Sequence, residues 1–293
     1  METIIITIFA ISFCICMMVV CKYKKNSMPE TQKTEEKTKP ISLKTPAKCT
    51  KLLFFSDTHG CMHNLTEVLY VQEKYDAVFC LGDIAYSELN EIKNNVHCPL
   101  YMITGNHDSK DMAQLIGIPD LNGEKVNING LEIVGWSGSI KYKNSDNSMM
   151  TDEESVVFAE NLPDADILLS HDVPKKATGD LAHSGLEGIT RYIDTHHIAL
   201  HIHGHIHSVE DIILPNGTRS ISIFQCGKIT IEENGDVIFT DLSPFSSNDR
   251  EYDAIRKKEN IIILGETKTG KSKATCKIYD SQDGKCKKNK TDL

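Results

Sequence analysis

The sequence predicts a layered α/β fold, with central mixed β-sheets flanked by helices. Three observations predict it. Short apolar runs alternate with helix-patterned stretches from residue 51 onward, the first runs give a β-α-β start, and an Asn-Gly hairpin signal closes the region.

Leu52, Leu53, Phe54 and Phe55 form an unbroken apolar run, so residues 52–56 read as a strand buried on both faces. Residues 64–74 read as a helix, and 77–81 and 100–104 as further buried strands, which makes the first sheet largely parallel. Residues 126–129 and 131–136 flank Gly130 like a hairpin. Residues 167–170 and 199–203 are buried strands, with a helical stretch near 186–194 between them. Residues 220–225, 228–232 and 237–241 close the domain, the last two joined by Asn234-Gly235. The order fits neither a Rossmann nor a TIM-barrel pattern, and no internal repeat is present.

The flanks differ from this core. Residues 3–21 carry no charge and are dominated by Ile, Val, Met, Phe and Cys. As a helix they would be roughly 28 Å long, about the thickness of a hydrocarbon core. Lys22, Lys24 and Lys25 follow, which places the C-terminal side in the cytoplasm. The expectation is a transmembrane or signal-anchor segment over 1–21, giving a membrane-anchored chain with a cytoplasmic globular domain. The alternative is a cleaved signal and export. Glu2 stands where a basic n-region belongs, and Met17-Met18-Val19-Val20 is a poor cleavage site. Residues 22–50, rich in Lys, Thr, Glu and Pro, read as a flexible basic linker. The globular domain is expected over 51–247, and a basic tail over 248–293.

Charge follows the same division. Of the net −9, residues 22–51 contribute +6, residues 248–293 contribute +4 and Glu2 contributes −1, which leaves −18 on residues 52–247. An acidic core is a poor nucleic-acid footprint, because duplex binding needs a basic face. It suits a core that holds cations, between flanks that suit anionic lipid. The ten cysteines show no framework spacing and read as reduced thiols.

Five motifs sit where predicted strands end: Asp57-Thr58-His59, Gly82-Asp83, Gly105-Asn106-His107-Asp108, His171 within Ser170-His171-Asp172, and Gly204-His205-Ile206-His207. Side chains at the carboxyl ends of neighbouring strands converge. Asp57 and His59 are two apart, as are His205 and His207, so each pair turns to one side of an extended chain. The donors are Asp, Asn and His without a Cys, a mix that suits Mn, Fe, Zn, Ni or Co rather than Ca. His63, His97, His196 and His197 have no motif around them and read as surface. His183 follows the His171 loop and is a candidate for the rim of the site. Trp136 reads as core packing.

This ordered set resembles the calcineurin-like metallophosphoesterase family, whose pattern runs D-x-H, G-D, G-N-H-[DE], H and G-H-x-H. The resemblance covers residues 51–242. It implies the layered metallophosphoesterase fold and two divalent or trivalent transition metal ions. Asp57, His59 and His207 would bind one ion; Asn106, His171 and His205 would bind the other; Asp83 would bridge both. His107 would face the substrate as general acid or as donor to the phosphoryl oxygens, with Asp108 orienting it. The implied activity is hydrolysis of a phosphoester, mono- or diester, by a bridging hydroxide. Asp83 is followed by Ile84-Ala85-Tyr86-Ser87, without the Arg of protein Ser/Thr phosphatases, so the chain looks more like the phosphodiesterase-like members. The alternative is a catalytically silent scaffold of the same fold, tethered to a membrane. Such scaffolds tend to lose a ligand or the substrate-facing His, and this chain keeps all of them.

A second motif lies in the tail. Residues 265–272 match the P-loop pattern G-x-x-x-x-G-K-[ST] after a short apolar run. Only 21 residues follow Ser272, and they show no second apolar strand. The expectation is an orphan motif with no sheet to hold it and no bound nucleotide.

Overall fold

The computed structural model describes residues 38–243, apart from 63–64, 71–72, 146 and 177–180, and the backbone of three strands nearer the C-terminus. The apolar segment 1–21, most of the linker and most of the P-loop-like motif lie outside the described residues. Among the described residues, no helix is long and apolar enough to cross a membrane.

The chain begins with β1 (Thr50–Ser56), α1 (Leu65–Leu69), β2 (Ala77–Cys80), α2 (Tyr86–Asn95), β3 (Leu100–Met102) and α3 (Met112–Ile116). It continues with β4 (Lys125–Ile128), β5 (Leu131–Trp136), the short β6 (Ser139–Ile140) and β7 (Met149–Met150), α4 (Asp152–Asn161), β8 (Ile167–Ser170) and α5 (Glu187–His196). Then follow β9 (Leu200–His203), β10 (Glu210–Ile213), β11 (Arg219–Ser222), β12 (Gln225–Ile231) and β13 (Val237–Asp241).

Two mixed sheets form the centre. One has the order β13-β12-β1-β2-β3, the other β10-β11-β9-β8-β5-β4. In the first, β1, β2 and β3 run parallel; in the second, β5, β8, β9 and β11 do. The unbroken apolar run of β1 explains its central place. Successive side chains point to opposite faces, so Leu52 and Phe54 enter the core between the sheets with Phe79, Ile133, Leu169 and Ile229. Leu53 and Phe55 face outward, where α1, α2 and α3 cover them with Leu65, Leu89, Ile92 and Ile116. The second sheet is covered likewise by Ala159 of α4 and by Ile189, Tyr192 and Ile193 of α5. Helices on both outer faces of two stacked sheets give the layered α/β architecture read from the sequence.

Three expectations change. Residues 38–49 lie along the domain instead of ending a free linker: Ile41 N–H donates to Gly217 O at 2.8 Å, Ala47 N–H to Asn129 O at 2.7 Å, and Leu43 packs against the inter-sheet core. A few apolar residues in a polar stretch suffice to dock it, and the domain begins upstream of Lys51. The run 220–225 is not one strand: β11 ends at Ser222, and Gln225 opens β12 in the other sheet. Ile223 and Phe224 cross between the sheets fully buried, so apolarity continues where pairing stops. The tail does contain a sheet: β14 (Ile262–Gly265), β15 (Thr275–Tyr279) and β16 (Cys286–Asn289) pair antiparallel. Backbone pairing between neighbours in sequence needs no apolar run.

Candidate metal centre

The ligand candidates gather at one rim, where strands of both sheets end. Asp57 and His59 follow β1, Asp83 follows β2, Asn106 follows β3, His171 follows β8, and His205 and His207 follow β9. Five of them hold the left-handed backbone that side chains other than glycine rarely adopt: Asp57 (φ 53°), His59 (47°), Asp83 (55°), His205 (69°) and His207 (49°). Each such residue costs about 1–3 kcal/mol and persists only where its surroundings over-determine it. Here the loops tie one another down. Asp57 N–H donates to Gly82 O at 3.0 Å, His59 N–H to Asp83 O at 3.1 Å, His107 N–H to Asp83 Oδ1 at 2.8 Å and His205 N–H to Asp57 Oδ2 at 2.8 Å. Gly204 is required by close approach, since a Cβ there would stand 2.0 Å from Ser56 Oγ.

The donor atoms converge. Atoms of Asp57, His59 and His207 lie within 4.8 Å of one another, as do those of Asp57, Asp83 and His171. His59 Nε2 is 3.1 Å from His207 Nε2, and His207 Nε2 is 3.4 Å from Asp57 Oδ1. Asn106 Oδ1 lies 3.0 Å from His171 Nε2, which is 3.5 Å from Asp83 Oδ2. Backbone carbonyls fix two ring tautomers. His171 donates from Nδ1 to Leu81 O at 2.8 Å, and His205 from Nε2 to Ala182 O at 2.7 Å. Each ring keeps its second nitrogen available, the arrangement by which a ligand imidazole is oriented from behind. Asp57 Oδ1 is buried without a hydrogen-bond donor. A buried carboxylate oxygen without a donor, beside imidazole nitrogens turned inward, fits cations with oxygen and nitrogen ligands.

Electrostatics reinforce this. Burial raises the Asp57 pKa, but the imidazoles of His207, His171 and His59 outweigh it and hold the carboxyl below its usual range. Burial alone would depress His171, yet Asp83 and Asp57 push it up to about 10. His205 is pushed down to about 3, by burial first and then by the charge of His171. Burial and the neighbouring Asp83 charge raise Asp108 to about 6.

All seven ligand candidates meet at this rim, and exposed His107 stands over it, its ring 5.3 Å from that of His59. Asp108 has a different task from the one the resemblance implied. Its Oδ2 accepts from the N–H groups of Asp83 at 2.8 Å and Gly105 at 2.9 Å, so it braces the backbone beneath His107 rather than the imidazole. The turn after Asn106 points the side chain of Asp108 inward and that of His107 outward. His183 does edge the site, its ring 4.9 Å from that of His205. His196 pairs with Asp164 and stacks on Tyr192, and Trp136 is fully buried against Phe158. Sequence reading missed Tyr142, whose hydroxyl accepts from Asn106 Nδ2 at 3.0 Å, and Glu88, a buried carboxylate under the first two motifs. Neither sits in a motif; no pattern marks them.

Two stacked mixed sheets with an Asp/Asn/His cluster at their shared rim are the architecture of the metallophosphoesterase fold. Residues 51–240 match the calcineurin-like phosphoesterase superfamily domain, and the chain belongs to that superfamily. An uncharacterized protein of Haemophilus influenzae is 32% identical over 95 residues, which cover 30% of this chain and 42% of that protein, less than half its length. The crystal structure of TT1561 of Thermus thermophilus superposes with a TM-score of 0.50 at 12% identity, covering 66% of this chain and 99% of that one. A further solved chain gives 0.52 at 12% identity, covering 67% and 100%. At such identity the likeness concerns the fold.

Proposed function

We propose that the chain hydrolyses phosphoesters, mono- or diesters, with two transition metal ions held by Asp57, His59, Asp83, Asn106, His171, His205 and His207. The observation that carries this reading is the convergence of two sets of donor atoms, Asp57 with His59 and His207 and Asp57 with Asp83 and His171, around the buried, donor-less Asp57 Oδ1. Bound cations at such a centre activate water at neutral pH and neutralise charge on phosphoryl oxygens. The protein's own groups do the rest. Asp57 and Asp83 offset the cationic charge, while Leu81 O and Ala182 O hold His171 and His205 in register. His107, exposed at the rim, donates to the phosphoryl group and gives a proton to the departing alkoxide as a water oxygen bonds to phosphorus and the ester P–O bond breaks; the proton that the water loses passes to solvent, which returns one to His107. We further propose that the uncharged run 3–21 anchors this domain at a membrane.

The test is turnover of bis-p-nitrophenyl phosphate and p-nitrophenyl phosphate by the full chain, stripped of metal and then supplied with Mn, Fe, Zn, Ni or Co. Activity is expected only with metal. His107→Ala should retain metal content and lose most on esters with poor leaving groups, which need a proton. No turnover of either ester with any of these metals would instead support the silent scaffold.

A further inference from the structure

Glu88 on α2 is only 8% exposed. Its carboxylate is nevertheless fully engaged. Oε2 accepts from the Thr58 hydroxyl, from Gly60 N–H at 3.1 Å and from Ala85 N–H at 3.4 Å; Oε1 accepts from Met62 N–H at 3.0 Å. Every one of these donors belongs to a segment that carries a ligand. Thr58 separates Asp57 from His59, Gly60 and Met62 continue the same turn, and Ala85 closes the turn that begins at Asp83. Asp57, His59 and Asp83 all hold left-handed backbone, which needs outside constraint.

We propose that Glu88 is a positioning residue of the metal centre: its buried carboxylate clamps the Asp57–His59 turn to the Asp83 turn and sets the affinity of the cation held by Asp57, His59 and His207. This rests on the two-cation reading above. A role confined to capping α2 accounts only for the bond to Ala85, the longest of the four. The others reach back to a loop 26 to 30 residues upstream. The Thr58 bond holds the peptide whose rotation would swing both flanking ligand side chains.

Glutamine at this position keeps the shape but turns an NH₂ toward donors, so part of the loop loses its acceptor. Thr58→Val removes the hydroxyl alone and nearly preserves shape. Metal-free full-length protein is titrated with Mn by calorimetry, for wild type, Glu88→Gln, Thr58→Val and His207→Ala, with thermal midpoints of each metal-free form. Wild type binds two cations. In Glu88→Gln and Thr58→Val one event weakens at least tenfold, it is the event that His207→Ala abolishes, and the other changes less than threefold. Thr58→Val keeps a near-wild-type midpoint, and added Mn restores its turnover. Unchanged affinity at both sites in both variants overturns the proposal, as does equal weakening of both in step with lost stability. A wild type that binds fewer than two cations overturns the two-cation reading itself, a result read before any variant is compared.

Discussion

A carboxylate and an imidazole buried together set each other's protonation, and His171 beside Asp83 makes that measurable. Its folded pKa, about 10, lies well above the 6.5 of an unconstrained histidine. A raised folded pKa contributes stability that is complete below the unfolded value and is lost as pH rises through the folded one. Between pH 7 and 8.5 the folded His171 keeps its proton while the unfolded one has largely lost it. The metal-free protein should therefore lose up to about 1.4 kcal/mol of stability per pH unit across that window. A cation replaces that proton, so added Mn should remove the slope, and His171→Asn should flatten it without metal. Urea midpoints at the two pH values decide the matter; a metal-free midpoint that stays level or rises would refute it. The candidate ligands could be picked out in the sequence because residue identity and spacing are what a metal site asks for. Glu88 was not, because its role exists only once a helix brings it under a loop 30 residues away.

Elements were legible where burial imposes an apolar run. The central strands, buried on both faces, were all visible, whereas α2 buries only Leu89, Ile92 and Glu88 along ten residues and left no periodicity to read. For α4 a signal was present and unread: Thr151 accepts from Glu154 N–H, and the Glu154 side chain accepts from Thr151 N–H. That is the T-x-x-E box that marks a helix start. The way strand ends approach each other was also hidden, although the glycines hinted at it. β9 meets β1 through Gly204, where a Cβ would stand 2.0 Å from Ser56 Oγ and 2.4 Å from Asp57 Oδ2. Gly204→Ala should cost about 1–3 kcal/mol by overpacking, or about 2–12 °C in the thermal midpoint for a domain of this size. It should also weaken binding of both cations, because Asp57 and His205 must shift together. Wild-type midpoint and metal content in that variant would show that the strand ends separate freely.

At the scale of the whole chain, the −18 of residues 52–247 falls in sequence between two basic stretches. The basic tail with its P-loop-like motif raises the question of a second phosphate site. A P-loop works because a strand and the helix after it fix the backbone N–H groups of the loop, and the chain then returns through a parallel crossover. Such a crossover takes a dozen or more residues, usually helical. Here the strand before the motif, β14, pairs antiparallel with β15, with Gly265 opposite Thr275. The connection 266–274 is nine residues long, too short for a phosphate loop and a helical crossover together. The antiparallel pairing of β14 with β15, which sequence reading had not foreseen, differs from the parallel crossover that follows a P-loop strand. Lys271→Ala should leave phosphoesterase rates and thermal midpoint unchanged. Calorimetry with ATP or GTP on the metal-free protein, in which nucleotide cannot report through the metal centre, should show no saturable binding. Micromolar binding that Lys271→Ala abolishes would mean that the motif holds phosphate without a parallel crossover after its strand.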